Sequence, residues 1–170
     1  MISAIVGFAL LIQTPPTASQ TLANAFVAAK QEKKNVFAYF GASWCSWCRK
    51  TDALLAHPEF ASRFSESYVV AKITIREREE KRALENAGWE TVLASLRGTK
   101  DRDVPYYAIL DPSGKKLGDG FQHGEGKVPG NGGYPKTGPE ADTFVDLIRE
   151  TGKTFGVKDL ARLRVYLLDQ

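Results

Sequence analysis

Cys45 and Cys48 are the only two cysteines in 170 residues, and only Ser46 and Trp47 separate them. They follow the apolar run Val36-Phe37-Ala38-Tyr39-Phe40 after a short turn. An apolar strand, a turn and Cys-x-x-Cys is the layout of a thiol–disulfide exchange site. A helix starting at the motif would aim unpaired backbone N–H groups and the positive end of its dipole at Cys45, favouring an anion there. A thiolate at Cys45 would then be stabilised, its pKa falling from ~8.5 toward ~7 or below. Cys48, one turn deeper, would be placed to attack a mixed disulfide formed at Cys45. Two sulfurs carry both electrons, so no cofactor is expected.

Other uses of the pair fit less well. A structural bridge between near neighbours closes a tiny loop and restricts the unfolded chain very little. Zinc takes four ligands from Cys and His, and only His57 and His123 could add to the pair, neither at ligand spacing. No resident metal is expected. Soft thiolates do select Cu(I), so a copper-handling chaperone using Cys45 and Cys48, with His123 as a third ligand, stands as the alternative function. A redox-inactive binding domain is a third. Around the pair, Trp44 and Trp47 could both be core aromatics, and Trp47 either covers Cys48 or packs inward. Arg49 and Lys50 could favour a thiolate, subject to screening by salt, or simply form an exposed helix turn. The glycines at 124, 126, 130, 132 and 133 lack the Gly-Lys-Ser/Thr and helix start of a phosphate loop.

The elements that must position the dithiol are legible from periodicity. Helical spacing of Leu22, Ala25, Phe26 and Ala29 predicts a helix over 21–34. Residues 36–42 form a strand buried on both faces, 45–55 a helix, and His57-Pro58-Glu59 the start of another, proline being tolerated in a first turn. Residues 68–75 read as a second strand, rich in β-branched side chains. Residues 78–97 read as a charged helix with Leu84, Val92, Leu93 and Leu96 inward and Gly88 as a weak point. Residues 106–110 form a third strand. The turn Asp111-Pro112-Ser113-Gly114 leads to an antiparallel partner over 117–121. Residues 122–138 read as irregular, followed by helices over 140–150 and 158–168. The helical crossover makes the first two strands parallel, so the sheet is mixed and lies between helices.

Net charge is +3, with 43% hydrophobic and 25% charged residues, ordinary for one globular domain. The alternating run Arg76-Glu77-Arg78-Glu79-Glu80-Lys81-Arg82 reads as a solvated face, and no basic stripe with interleaved aromatics points to nucleic acid. Residues 2–12 are almost wholly apolar and 13–20 turn polar and proline-rich. That run is too short to span a bilayer and suits a secretory signal, with small residues at Thr17, Ala18 and Ser19 for a peptidase, although no Lys or Arg precedes it. Residues 1–20 are therefore expected to be a signal peptide or an N-terminal membrane anchor, and 21–170 one domain facing the periplasm or the outer surface of the membrane.

With the elements placed, the chain resembles the thioredoxin-like family. The residues that carry the resemblance are Trp44-Cys45-Ser46-Trp47-Cys48-Arg49-Lys50, Val104-Pro105 ahead of the third strand, and Val70-Ala71-Lys72 in the second. It is similar in particular to exported bacterial members with Trp-Cys-x-Trp-Cys and to the C-terminal domain of the transmembrane disulfide reductase. The resemblance spans about residues 21–150 and implies an α/β thioredoxin fold, here with an extra C-terminal helix. It implies catalysis by Cys45 and Cys48 on protein disulfides, substrate contact through Trp44, Trp47, Val104 and a cis Pro105, and an upstream thiol electron donor. Two departures stand out. Ser46-Trp47 replaces the family's Gly-Pro between the cysteines. Tyr39 replaces a buried aspartate six residues before the first cysteine, which leaves Lys72 without that partner. Water, the Tyr39 hydroxyl and neutral Lys72 are then the candidates for taking the proton of Cys48, water first. Because the third and fourth strands are antiparallel, the loop 122–138, with Tyr134 and Pro135, is expected to rim the active face and shape partner choice.

Overall fold

A computed structural model describes residues 14–122, 130–131 and 133–170. The run Val36–Phe40 becomes the inner strand β1 (Asn35–Gly41). β1 lies parallel to β2 (Tyr68–Thr74) and antiparallel to β3 (Tyr106–Leu110), and β3 pairs antiparallel with β4 (Lys116–Asp119). The sheet order is β2-β1-β3-β4. β3 is buried at every position, as its continuous apolar sequence requires of a strand covered on both faces.

The period-two alternation of β1 divides the interior. Phe37 and Tyr39 point to one side, where α2 (Ser46–Leu55), α3 (Ala61–Ser67), α5 (Gly138–Thr151) and α6 (Val157–Leu168) supply Leu54, Phe64, Phe144, Ile148 and Leu163. Val36, Ala38 and Phe40 point to the other, against Leu22, Ala25 and Ala29 of α1 (Ala18–Glu32) and Leu93 of α4 (Trp89–Arg97). The mixed sheet flanked by helices and the extra C-terminal helix match the expectation.

Several boundaries differ from the sequence reading, among them the fourth strand, which ends at Asp119 and leaves Phe121 to a separate ladder. α1 starts three residues early, because Thr17 and Gln20 form a capping box: Gln20 N donates to Thr17 Oγ1 at 3.1 Å and Thr17 N to Gln20 Oε1 at 2.9 Å. Ala18, put forward for a peptidase, is fully buried there. The single helix expected over 78–97 is two pieces, a 3-10 turn (Glu79–Leu84) and α4: the chain turns extended at Glu85 (φ −67°, ψ 142°), and Gly88, at φ 76°, caps the start at Trp89. Leu84 is accordingly 52% exposed and contributes nothing to the inward stripe. The helix expected from 57–59 begins only at Ala61. Within 122–138, read as irregular, a two-residue ladder pairs β5 (Phe121–Gln122) with β6 (Gly130–Asn131). Among the described residues no helix is long and apolar enough to cross a membrane; the apolar 2–12 segment lies outside them.

Candidate active site

Cys45 is the N-cap of α2 and Cys48 sits in its first turn. The two are joined as a disulfide with Cα atoms 5.2 Å apart. The backbone N–H of Cys48 points at Cys45 Sγ from 3.1 Å, so a helix-end donor already addresses the sulfur that would carry charge after reduction. Cys45 is 5% exposed and Cys48 2%. Burial in apolar surroundings opposes ionisation of a thiol, so the helix end and the N–H contact must offset it.

The turn carrying the motif is held mainly by the segment just past β2, with Arg49 of α2 adding one bond. The Glu77 carboxylate, just past β2, accepts from Ser43 N at 2.6 Å and Ser43 Oγ at 2.7 Å. Trp44 Nε1 donates to the Arg76 carbonyl at 2.6 Å, and Arg49 Nη1 to the Ser43 carbonyl at 3.2 Å. Glu77 is 6% exposed, which corrects the reading of 76–82 as a uniformly solvated face. Arg76 itself takes φ 52° to turn the chain there. Trp44 remains 38% exposed beside the dithiol.

On the opposite border the Val104–Pro105 bond is cis, and the Val104 carbonyl oxygen lies 3.7 Å from Cys45 Sγ. Gly133 backs onto this proline: a Cβ there would stand 3.9 Å from Pro105 Cδ. The next residue, Tyr134, stacks on Trp47 with ring centroids 5.9 Å apart and planes 22° from parallel. Trp47 is half-buried and packs against the core cluster that contains both cysteines. Residues 133 and 134 of the 122–138 loop thus meet Pro105 and Trp47, which border the dithiol. His123 and residues 124–129 and 132 lie outside the described residues. Among those described, no group of three His, Cys, Asp or Glu could hold a metal ion. His57 accepts the Glu59 N–H at 3.3 Å and contacts the rings of Phe60 and Tyr166, in the turn ahead of α3 and not at its first residue as expected.

Behind the pair, the Tyr39 hydroxyl donates to the Cys48 carbonyl at 2.8 Å. Gly41 leaves the necessary room: a Cβ there would fall 2.8 Å from that hydroxyl and 3.4 Å from Cys48 Sγ. Burial, reinforced by the charge of Asp52, pushes the Tyr39 phenol far above its ordinary range. It is therefore a donor, and its phenolate is out of reach as a proton acceptor. Lys72, left without an aspartate at position 39, pairs with another carboxylate: its Nζ bonds both oxygens of Asp52, at 2.7 and 2.8 Å. Asp52 was missed, although its place one helical turn after Cys48 was visible as an i+4 spacing. Lys136, 4.4 Å from the Trp47 ring centroid, was missed too; nothing in its local sequence marks it.

A family model described as thioredoxin-like matches residues 17–112. Among solved structures, the chain is similar to a disulphide isomerase from Xylella fastidiosa Temecula1, with 19% identity, 66% of this chain and 80% of that one covered, and a TM-score of 0.50. It is similar also to the oxidised C-terminal domain of DsbD from Neisseria meningitidis, at 18% identity, 82% and 99% coverage and a TM-score of 0.48. A DsbH oxidoreductase is 20% identical over 91% of this chain and 96% of its own, with a TM-score of 0.48. At these identities the likeness is one of fold. No curated protein matches the sequence.

Proposed function

The chain belongs to the thioredoxin-like family, and from that premise we propose that it is a thiol–disulfide oxidoreductase that reduces disulfides of other proteins. One observation carries the reading: Cys45 caps a helix with the Cys48 N–H on its sulfur, and the Val104 carbonyl stands 3.7 Å away. In the reduced protein, the Cys45 thiolate attacks one sulfur of a substrate disulfide, forming a mixed disulfide and releasing the other sulfur as a thiolate. Cys48 loses its proton to solvent and attacks Cys45 Sγ. The intermolecular bond breaks, the substrate leaves with two thiols, and Cys45–Cys48 is oxidised. A dithiol donor upstream returns the two electrons.

Trp44, Trp47, Val104 and Pro105 are the residues that contact the substrate in this scheme, with the Val104 backbone pairing with an extended substrate strand. The site works outside the cytoplasm, delivered by the apolar 2–12 segment as signal or tether. Any cleavage falls before Pro16, whose carbonyl accepts from Asn86 Nδ2 at 2.8 Å as part of the folded domain. The test is insulin disulfide reduction driven by dithiothreitol. Activity that disappears in Cys45→Ser, together with a trapped mixed disulfide in Cys48→Ser, is the expected result. No acceleration by the unaltered protein would overturn the proposal, and titration against a glutathione redox buffer decides the direction.

A further inference from the structure

We infer that Trp47, Lys50 and Lys136 form an acid-recognition element beside the dithiol, selecting partner proteins whose disulfide is flanked by Asp or Glu. The inference rests on the redox reading above and names its substrate class. Lys50 Nζ stands 4.9 Å and Lys136 Nζ 4.4 Å from the centroid of the same indole. The two ammonium groups therefore lie within about one Debye length of each other, roughly 10 Å at 0.1 M salt. They arrive from separate elements, Lys50 from the second turn of α2 and Lys136 from the segment that leads into α5. The ring attracts each cation, but it neutralises neither.

No carboxylate among the described residues bonds either ammonium, and the nearby acids are already committed. Glu140 Oε2 accepts the backbone N–H groups of Lys136 and Thr137, at 3.2 and 3.0 Å. Asp52 is held by Lys72. Arg49, the intervening cation, spends one N–H on the Ser43 carbonyl and stays exposed. The geometry is also fixed in place, since Trp47 stacks on Tyr134, which is only 3% exposed.

The far border of the dithiol is different. Beside Trp44, Arg76 has Asp103 at 3.8 Å and donates to the Arg102 carbonyl at 2.9 Å. Charge there is met within the chain, whereas on the Trp47 side no carboxylate of the described residues pairs with either cation, which leaves both for a partner's anion. A partner carboxylate next to the attacked cysteine would pair with both and exchange faster, with the strongest effect at low ionic strength.

The experiment uses the reduced full chain and two synthetic peptides, each with one intramolecular disulfide. They are alike except that Glu flanks the cysteines in one and Gln in the other. Each exchange rate is divided by that of the same peptide with β-mercaptoethanol, which removes intrinsic differences in the disulfide. The Glu peptide is expected to be favoured about tenfold at low salt, with the preference shrinking as salt rises. In Lys50→Gln/Lys136→Gln the Glu-to-Gln ratio is expected to fall to about one, whatever happens to the absolute rates. Equal normalised rates in the unaltered protein, or a ratio unchanged in the double variant, would overturn the inference alone. No exchange with either peptide would overturn the redox reading and this inference with it.

Discussion

Tyr39 stands where a proton acceptor for Cys48 could be sought, and its surroundings make it something else. The side chain is fully buried, its hydroxyl is spent on the Cys48 carbonyl, and burial together with Asp52 disfavours its phenolate. Its contribution is then to hold the first turn of α2 against β1, equally in the oxidised and the reduced protein. Tyr39→Phe removes one hydrogen bond while keeping the ring, so a loss of about 1 kcal/mol is expected in urea unfolding. The loss should be the same in both redox states, which by linkage leaves the equilibrium with glutathione unchanged. The pH profile of disulfide exchange should also keep its shape. A variant that slowed resolution and displaced that profile would show Tyr39 taking part in proton transfer. Tyr39 was legible as a departure from the family pattern, but its partner was not, because a hydrogen bond to a backbone carbonyl leaves no mark in side-chain types.

At the level of elements, the strands and the dithiol helix could be read from sequence because burial writes itself as periodicity. β3 was placed to the residue, and the helix after Cys45 was read with its full length. What periodicity misses is polar chemistry that runs against the local pattern. Glu77 sits in an alternating run of charges and looks solvated, yet it is the carboxylate that clamps Ser43 ahead of Trp44 and Cys45. Its own N–H is received by Glu85 Oε1 at 2.7 Å, tying the clamp to the turn before α4. Glu77→Ala strips two hydrogen bonds to a charged acceptor, those from the Ser43 N–H and hydroxyl. A loss of about 2–3 kcal/mol in chemical unfolding is expected, accompanied by slower disulfide exchange as the turn loosens. Glu77→Gln retains an acceptor for the Ser43 N–H and should recover about half of that stability. If Glu77→Ala were as stable and as fast as the unaltered chain, Trp44 and helix capping alone would suffice to hold the motif.

Across the whole molecule, tyrosines are set into both cores, Tyr39, Tyr68, Tyr107 and Tyr134 on the dithiol side of the sheet and Tyr106 on the other. Burial raises all five phenols, and for Tyr68 the result is about 12, moderated by its hydrogen bond with Thr151. The charge of Asp119 adds to the effect at Tyr106 and Tyr107, and Tyr106 donates to that carboxylate at 3.0 Å. In the unfolded chain each phenol titrates near ~10. Above that pH the unfolded chain has released protons that the folded protein keeps, so the slope of stability with pH is negative. The stabilisation is complete below about pH 10 and drains away as pH climbs through Tyr68's folded value and beyond, by at most ~1.4 kcal/mol per pH unit for each phenol. For the oxidised protein, the urea midpoint should hold between about pH 8 and 9.5 and fall steeply above 10. Tyrosinate absorbance from the five should rise together with loss of the fold and not ahead of it. Ionisation of several phenols near pH 10 in a protein whose circular dichroism is still native would show that the sheet does not bury them, and with them the shared wall against which α2 holds its sulfurs.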